Sequence, residues 1–234
     1  MEPTIIFEDD QLFAVNKPAG LVVHSDGRTE EPTLTEWVLQ RYPLLRDIGG
    51  LHTLDMERYE PRSGILHRLD RETSGIILIA KNDETFYFLQ RQFLDHTIKK
   101  TYLAFVEGIL EKKSGTIDLP IGRSRSDFRR FATGDDARGT KRSSVTEYHV
   151  LSENDKYSFV ELMPKTGRTH QLRVHMHSIG HPIISDTRYG TQQALGFTRV
   201  ALHAGKLEFI HQNGTKMWLE APLPPDFERA KAQL

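Results

Sequence analysis

The chain has 234 residues, a formal net charge of −1, 38% hydrophobic and 27% charged residues, which suits a soluble protein able to bury its own core. Without cysteine it has no disulfide, thiolate nucleophile or cysteine zinc ligand, and no apolar run approaches the ~18 residues of a membrane span. The opening Met1-Glu2-Pro3-Thr4-Ile5 lacks the basic and then apolar pattern of a secretory signal, so the reading is cytoplasmic.

Thr4 to Phe7 and Gln11 to Val15 read as two short strands around Glu8-Asp9-Asp10. The second runs into Asn16-Lys17-Pro18-Ala19-Gly20, where Pro18 and Gly20 force a turn. Leu21-Val22-Val23 resumes extended structure. Thr33 with Glu36 makes a capping-box pattern, and Leu34, Trp37, Val38 and Arg41 follow at helical spacing until Pro43. Leu44 to Arg62 lacks periodicity and reads as a long loop. Next comes His67-Arg68-Leu69-Asp70-Arg71-Glu72-Thr73-Ser74-Gly75, then the apolar run Ile76 to Ala80. A carboxylate between two arginines where a buried strand begins stands at the end of a rigid element, the usual place for a reactive group. Taken alone, the same cluster is better read as an ordinary surface turn, and it is the later segments that reverse the preference.

Asp83 to Phe93 reads as a helix with Phe86, Leu89 or Gln90, and Phe93 on one side, and Thr101 to Val106 as a strand with Tyr102, Ala104 and Val106 on one face. From Arg123 to Arg142 there are seven positive charges against Asp127, Asp135 and Asp136, a basic insertion in a nearly neutral chain. Strands follow at Ser144 to Leu151 and Tyr157 to Met163. Pro164 to Gly167 then turns into a helix capped by Thr169, which brings His170, Arg173 or Val174, and His177 near one face. Val200 to Ile210 and Lys216 to Leu219 make a last hairpin around Gln212-Asn213-Gly214, and the tail beyond Pro224-Pro225 is polar. Strands outnumber helices without regular alternation, so the expected fold class is α+β with a mixed, mainly antiparallel central sheet. No repeat or linker interrupts the chain, and residues 1–234 are read as one domain.

Taken together, Asn16 to Gly20, His67 to Gly75, Lys100-Thr101-Tyr102-Leu103-Ala104 and Gly167-Arg168-Thr169-His170-Gln171-Leu172-Arg173-Val174-His175 resemble the motif set of the RluA-type pseudouridine synthases, in that family's order and at comparable spacings. The resemblance extends to Glu220-Ala221-Pro222-Leu223-Pro224. It implies isomerisation of uridine to pseudouridine within RNA: the bond from N1 to the ribose breaks, the uracil turns, and C5 attaches instead. It also implies no cofactor, a ribosomal RNA or tRNA stem-loop with a flipped uridine as substrate, and Asp70 as the catalytic aspartate. The chain begins directly with catalytic-domain strands, so no S4-type RNA-binding domain is expected before them. It is expected to act as a monomer.

A carboxylate held against a flipped base favours its protonated form unless a cation is close. Arg173 matches the family arginine that supplies the cation. Tyr102 matches the tyrosine that lies against the target base, where stacking offsets part of the cost of unstacking. Arg68 matches the arginine expected to enter the space the flipped nucleotide leaves. Arg71 and Arg168 are expected at phosphates, as are Arg129 and Arg130 in the basic insertion, while Lys17 either meets phosphate or caps a turn. His170 is expected on the RNA-binding side as a hydrogen-bonding scaffold residue, and His175, His177 and His181 at the surface. Two other readings compete. His170 to His181 is crowded enough to suggest a metal-dependent hydrolase, although Gly180 and Pro182 disturb the helical spacing of His177 and His181; the other is a non-catalytic RNA-binding module.

Overall fold

The structure, a computed structural model, describes residues 2–25, 30–53, 59–190 and 192–234. Its contacts group the chain into two compact units, residues 1–98 with 205–222 and residues 99–204 with 223–234. No linker marks the division in the sequence, because one boundary falls between adjacent residues at the start of a strand and another inside a single strand. No helix among the described residues is long and apolar enough to cross a membrane.

In the first unit, Thr4–Glu8 (β1) and Leu12–Lys17 (β2) form an antiparallel hairpin. The Asp9 carboxylate closes its turn by accepting from the Gln11 and Leu12 amides at 2.8 and 2.9 Å. Leu34–Arg41 (α1) starts at the capping box read from the sequence: Thr33 Oγ1 accepts from the Glu36 amide and Glu36 Oε2 from the Thr33 amide. The stretch read as a loop from Leu44 to Arg62 differs. A 3-10 turn at Pro43–Leu45 leads to a small antiparallel hairpin, Leu51–Thr53 (β3) with Tyr59–Pro61 (β4). Two three-residue strands are too short for periodicity to show them.

Ser74–Ala80 (β5) is buried throughout and pairs antiparallel with β2, with Lys17 opposite Gly75. Asp83–Leu94 (α2), capped by Asn82, lays Phe86 and Leu89 into the core of this unit, with Phe93 beside it.

The second unit opens with Lys99–Glu107 (β6) and Ser114–Asp118 (β7). The basic stretch then folds as a small antiparallel sheet of its own, with Ile121–Ser124 (β8) between Phe131–Ala132 (β9) and Ala137–Arg142 (β10). Val145–Glu153 (β11) and Tyr157–Pro164 (β12) complete an antiparallel run in the order β6, β12, β11, β7. Gln171–Ser178 (α3) follows. Its N-cap is His170 rather than Thr169, in the left-handed region at φ 55° and without a side-chain cap.

Leu202–Ile210 (β13) begins in the second unit and ends in the first, where it runs beside β5 and pairs with Lys216–Glu220 (β14). The tail is not merely polar. Pro225–Lys231 (α4) belongs to the second unit and buries Phe227 and Ala230 completely, with Phe227 at 5.5 Å from the Phe105 ring and 5.1 Å from that of Phe197. Two apolar residues in a charged heptapeptide suffice when they share one face. The class is therefore α+β and mainly antiparallel, as the strand pattern implied. Phe227→Ala should remove about 3–5 kcal/mol of stability, measured by denaturant unfolding; an unchanged midpoint would mean that the tail helix adds nothing to this core.

Candidate active site

Asp70 is half-buried in the turn that leads into β5. The turn is held chiefly through its main chain. The Thr73 amide donates to the Asp70 carbonyl at 3.1 Å, and the Arg71 carbonyl accepts from the Gly20 amide at 2.9 Å and from Lys17 Nζ at 3.1 Å. Lys17 is fully buried and also donates to the carbonyls of Pro18 (2.9 Å) and Leu21 (2.7 Å). An ammonium removed from water needs such a set of acceptors. Of the two roles open to it, Lys17 therefore caps the turn; a phosphate contact would require an exposed head group. Gly20, at φ +87°, supplies the left-handed bend that carries its amide to Arg71. The Asn16–Gly20 and His67–Gly75 segments thus lock each other.

The flanks of the turn alternate. Leu69 is buried and Arg68 is exposed, while His67 Nε2 accepts from the Leu78 amide at 3.1 Å and its ring lies 4.8 Å from that of Phe93. Arg71 is exposed and grips Glu31 with both Nη atoms, at 2.6 and 2.5 Å.

Tyr102 and Arg173 belong to the second unit. Tyr102, half-buried on β6 opposite Leu162, packs against the core. Lys100 precedes it on the same face, its ammonium 3.4 Å from the Thr166 carbonyl, and burial pulls its pKa below the usual lysine value.

Arg173 projects from α3, whose other side is fastened to β11 by a chain of hydrogen bonds. Gln171 Nε2 donates to Thr146 Oγ1 (3.0 Å) and to the Val145 carbonyl (3.0 Å), and Gln171 Oε1 accepts from Thr166 Oγ1 and the Arg168 amide. One turn on, His175 Nε2 lies 3.0 Å from the Leu119 carbonyl and Nδ1 lies 2.9 Å from Thr146 Oγ1. A carbonyl only accepts, so Nε2 carries the proton and Nδ1 accepts from the threonine hydroxyl. This corrects the surface reading of His175, which is completely buried. The i, i+4 pair Gln171 and His175 orients the helix.

On the far side of α3, Arg173 Nε and Nη2 bind the two oxygens of Asp186 at 2.6 and 2.8 Å, both residues being buried. The same carboxylate accepts from the amides of Arg188 and Tyr189. Tyr189, fully buried, accepts from the Phe131 amide through its hydroxyl, which also lies 3.0 Å from His170 Nδ1. Guanidiniums cover its ring: Arg173 at 5.1 Å and Arg130 at 5.2 Å. Burial pushes the Tyr189 hydroxyl's pKa up. Asp186 and Tyr189 were invisible in the sequence, since nothing in Ser185-Asp186-Thr187-Arg188-Tyr189-Gly190 beyond an ordinary turn pattern signals a buried ion pair.

The remaining histidines have structural partners. His181 Nδ1 lies 2.9 Å from the Glu107 carbonyl, and the exposed His177 lies 6.0 Å from Tyr189. Among the described residues no three histidine or carboxylate side chains are grouped to hold a metal ion.

Residues 11–178 match the family model for RNA pseudouridylate synthases. The chain belongs to that family. It is 38% identical over 227 residues to an RNA pseudouridine synthase of Bacillus subtilis, YlyB, covering 97% of this chain and 71% of the relative. It is likewise 38% identical over 234 residues to the ribosomal large subunit pseudouridine synthase D of Zymomonas mobilis, covering 96% and 70%. Among solved structures, human RNA pseudouridylate synthase domain containing 1 superposes with a TM-score of 0.75 at 28% identity, over 95% of this chain and 84% of that one. A pseudouridine synthase is an isomerase that converts uridine to pseudouridine in RNA.

In this synthase the basic insertion uses its arginines in distinct ways. Arg129 pairs with Asp127 at 3.0 Å, and Arg130 stacks on Tyr189. Arg168 donates from Nε to the Ser143 carbonyl at 3.1 Å and lines a groove with Arg123, Arg138 and Arg142.

Removing one partner of the buried pair, as in Asp186→Ala, should cost about 3–5 kcal/mol in denaturant unfolding; an unshifted midpoint would show that water replaces the carboxylate at little cost. His175 supplies a pH signature. Burial holds its folded pKa below the ordinary 6.5, so the unfolded chain binds the proton more readily. Its contribution to stability is complete above pH 6.5 and is lost as pH falls through the lower, folded value. Melting temperature should drop across that window, and His175→Gln should flatten the drop; equal slopes for both proteins would refute the assignment.

Proposed function

We propose that the chain isomerises specific uridines in ribosomal RNA or tRNA, and that Asp70 is its catalytic carboxylate. The reading rests above all on the Asp70 turn, held by the buried Lys17 and by Gly20, which combines two of the motifs that resemble the RluA-type set. The large-subunit synthase among the relatives favours ribosomal RNA. The reaction breaks the N1–C1′ bond and forms C5–C1′, and the C5 proton is balanced by one gained at N1, so it requires no oxidant and no second substrate.

Tyr102 is the ring against the target base, and Arg173 is the arginine that the motif resemblance assigns to the reaction. Asp186 fixes the plane of that guanidinium, which a bidentate contact does better than a single one. Arg68, exposed beside the turn, replaces the flipped nucleotide in the stack. Arg71 reaches phosphate by exchanging Glu31, a surface partner that holds it weakly. His170 supports the RNA-facing end of α3. On this reading residues 1–234 act as one catalytic domain, monomeric and cytoplasmic.

Asp70→Asn tests the assignment. The variant should fold with an unchanged melting profile and form no pseudouridine in transcriptome-wide mapping of cells that carry it in place of the wild type. Modification at the wild-type rate would remove Asp70 from the mechanism.

A further inference from the structure

The groove beside the small sheet of the second unit has a cavity volume of about 610 Å³, within the ~300–1,000 Å³ of pockets that hold organic ligands. Arg123, Arg138, Arg142 and Arg168 line it, with Thr140 and Thr169 between them and no carboxylate. Among the described residues none of these four guanidiniums is paired with an acidic side chain; the hydrogen bonds they make run to the carbonyls of Phe128 (from Arg123, 3.3 Å) and Ser143 (from Arg168, 3.1 Å). Five arginines outside the groove do pair with acids: Arg71 with Glu31, Arg91 with Asp95, Arg129 with Asp127, Arg173 with Asp186 and Arg199 with Asp226. A chain of net charge −1 has acids to spare, yet none is placed here. Four like charges around one groove repel each other until an anion arrives.

Phe128 adds a second kind of contact. It is 74% exposed in the turn between β8 and β9, and the guanidinium of Arg129 lies 5.9 Å from its ring. An exposed aromatic is common on its own. This one is tied to the groove, because a groove arginine, Arg123, donates to its carbonyl while stacking 4.6 Å above Phe131. Guanidinium forks bind phosphate oxygens in pairs, and an open ring face accepts any unstacked base.

We propose that the inserted sheet is a clamp for single-stranded RNA, in which Arg123, Arg138, Arg142 and Arg168 hold successive phosphodiesters and Phe128 stacks on one unpaired base. A duplex offers phosphates to the groove but no free base face to the ring. The inference rests on the RNA reading above and adds to it a strand beside the target, read by shape and charge rather than by sequence. Arg129 and Arg130, the residues the sequence favoured, serve the framework of the clamp.

The test uses the full chain and fluorescence anisotropy with a labelled single-stranded oligouridylate and a blunt RNA duplex of equal phosphate number, over a range of salt concentrations. Arg138→Gln with Arg142→Gln should weaken binding to both and reduce the slope of log affinity against log salt for the single strand by about 1.4, two contacts at about 0.7 each. Phe128→Ala should weaken single-strand binding about tenfold at an unchanged salt slope, leave duplex binding as it was, and be rescued by Phe128→Trp. Melting profiles identical to wild type establish that the exposed substitutions leave the fold intact. Wild-type affinity and slope in the arginine variant would overturn the clamp, as would a Phe128→Ala loss equal for duplex and single strand, or no loss at all. Pseudouridine formation by the wild-type chain is assayed in parallel. Its absence with these binding effects present would reject the proposed activity and keep the clamp; its presence with variants that bind as wild type would reject the clamp alone.

Discussion

The ion pair between Arg173 and Asp186 is the contact on which the second unit turns. Two opposite charges removed from water are tolerable only with close geometry and with other donors on the carboxylate, and both conditions are met by the bidentate pair and the two backbone amides. Its value lies in direction more than in stability. It ties α3 to the chain at Asp186, and Tyr189, three residues on, carries the constraint to Arg130 and Phe131 of the small sheet. On the opposite side, Gln171, Thr146 and His175 stop the helix from rolling.

The first unit meets the same demand with a different solution. Lys17 is surrounded by carbonyl dipoles, one of them from Arg71 in the turn that carries Asp70. Because the turn is secured through its main chain and through Leu69 and His67, Arg68 is left exposed at the surface. A reactive group is best carried by a segment whose backbone has little freedom, since positioning of the group is then settled before the substrate arrives.

Electrostatics in this synthase is a matter of distribution. The near-neutral total conceals a local pattern: among the described residues the four groove arginines have no acidic partner, while Arg71, Arg129 and Arg173 each pair with a carboxylate. The sequence marked this segment by its local excess of positive charge. It could not rank the arginines within that segment, because ranking depends on which of them Asp127 and Tyr189 have already engaged.

What the sequence by itself determined are features whose causes act over a few residues: the Thr33–Glu36 capping box, the buried run after Gly75, the hairpin around Gly214, the α+β class and the family motifs. Each follows from periodicity, turn chemistry or capping, which are local forces. Only the tertiary structure decided that Lys17 supports the Asp70 turn across 54 residues, that His175 belongs to the core through Thr146 and Leu119, 29 and 56 residues away, and that Asp186 holds Arg173. The tail helix belongs with these, since Phe227 among charged neighbours signals burial only once Phe105 and Phe197 are there to receive it. The physical reason is the same in every case. A buried polar or aromatic group must find its partner wherever the fold brings one, and partners so distant in the chain leave no pattern in the sequence around them.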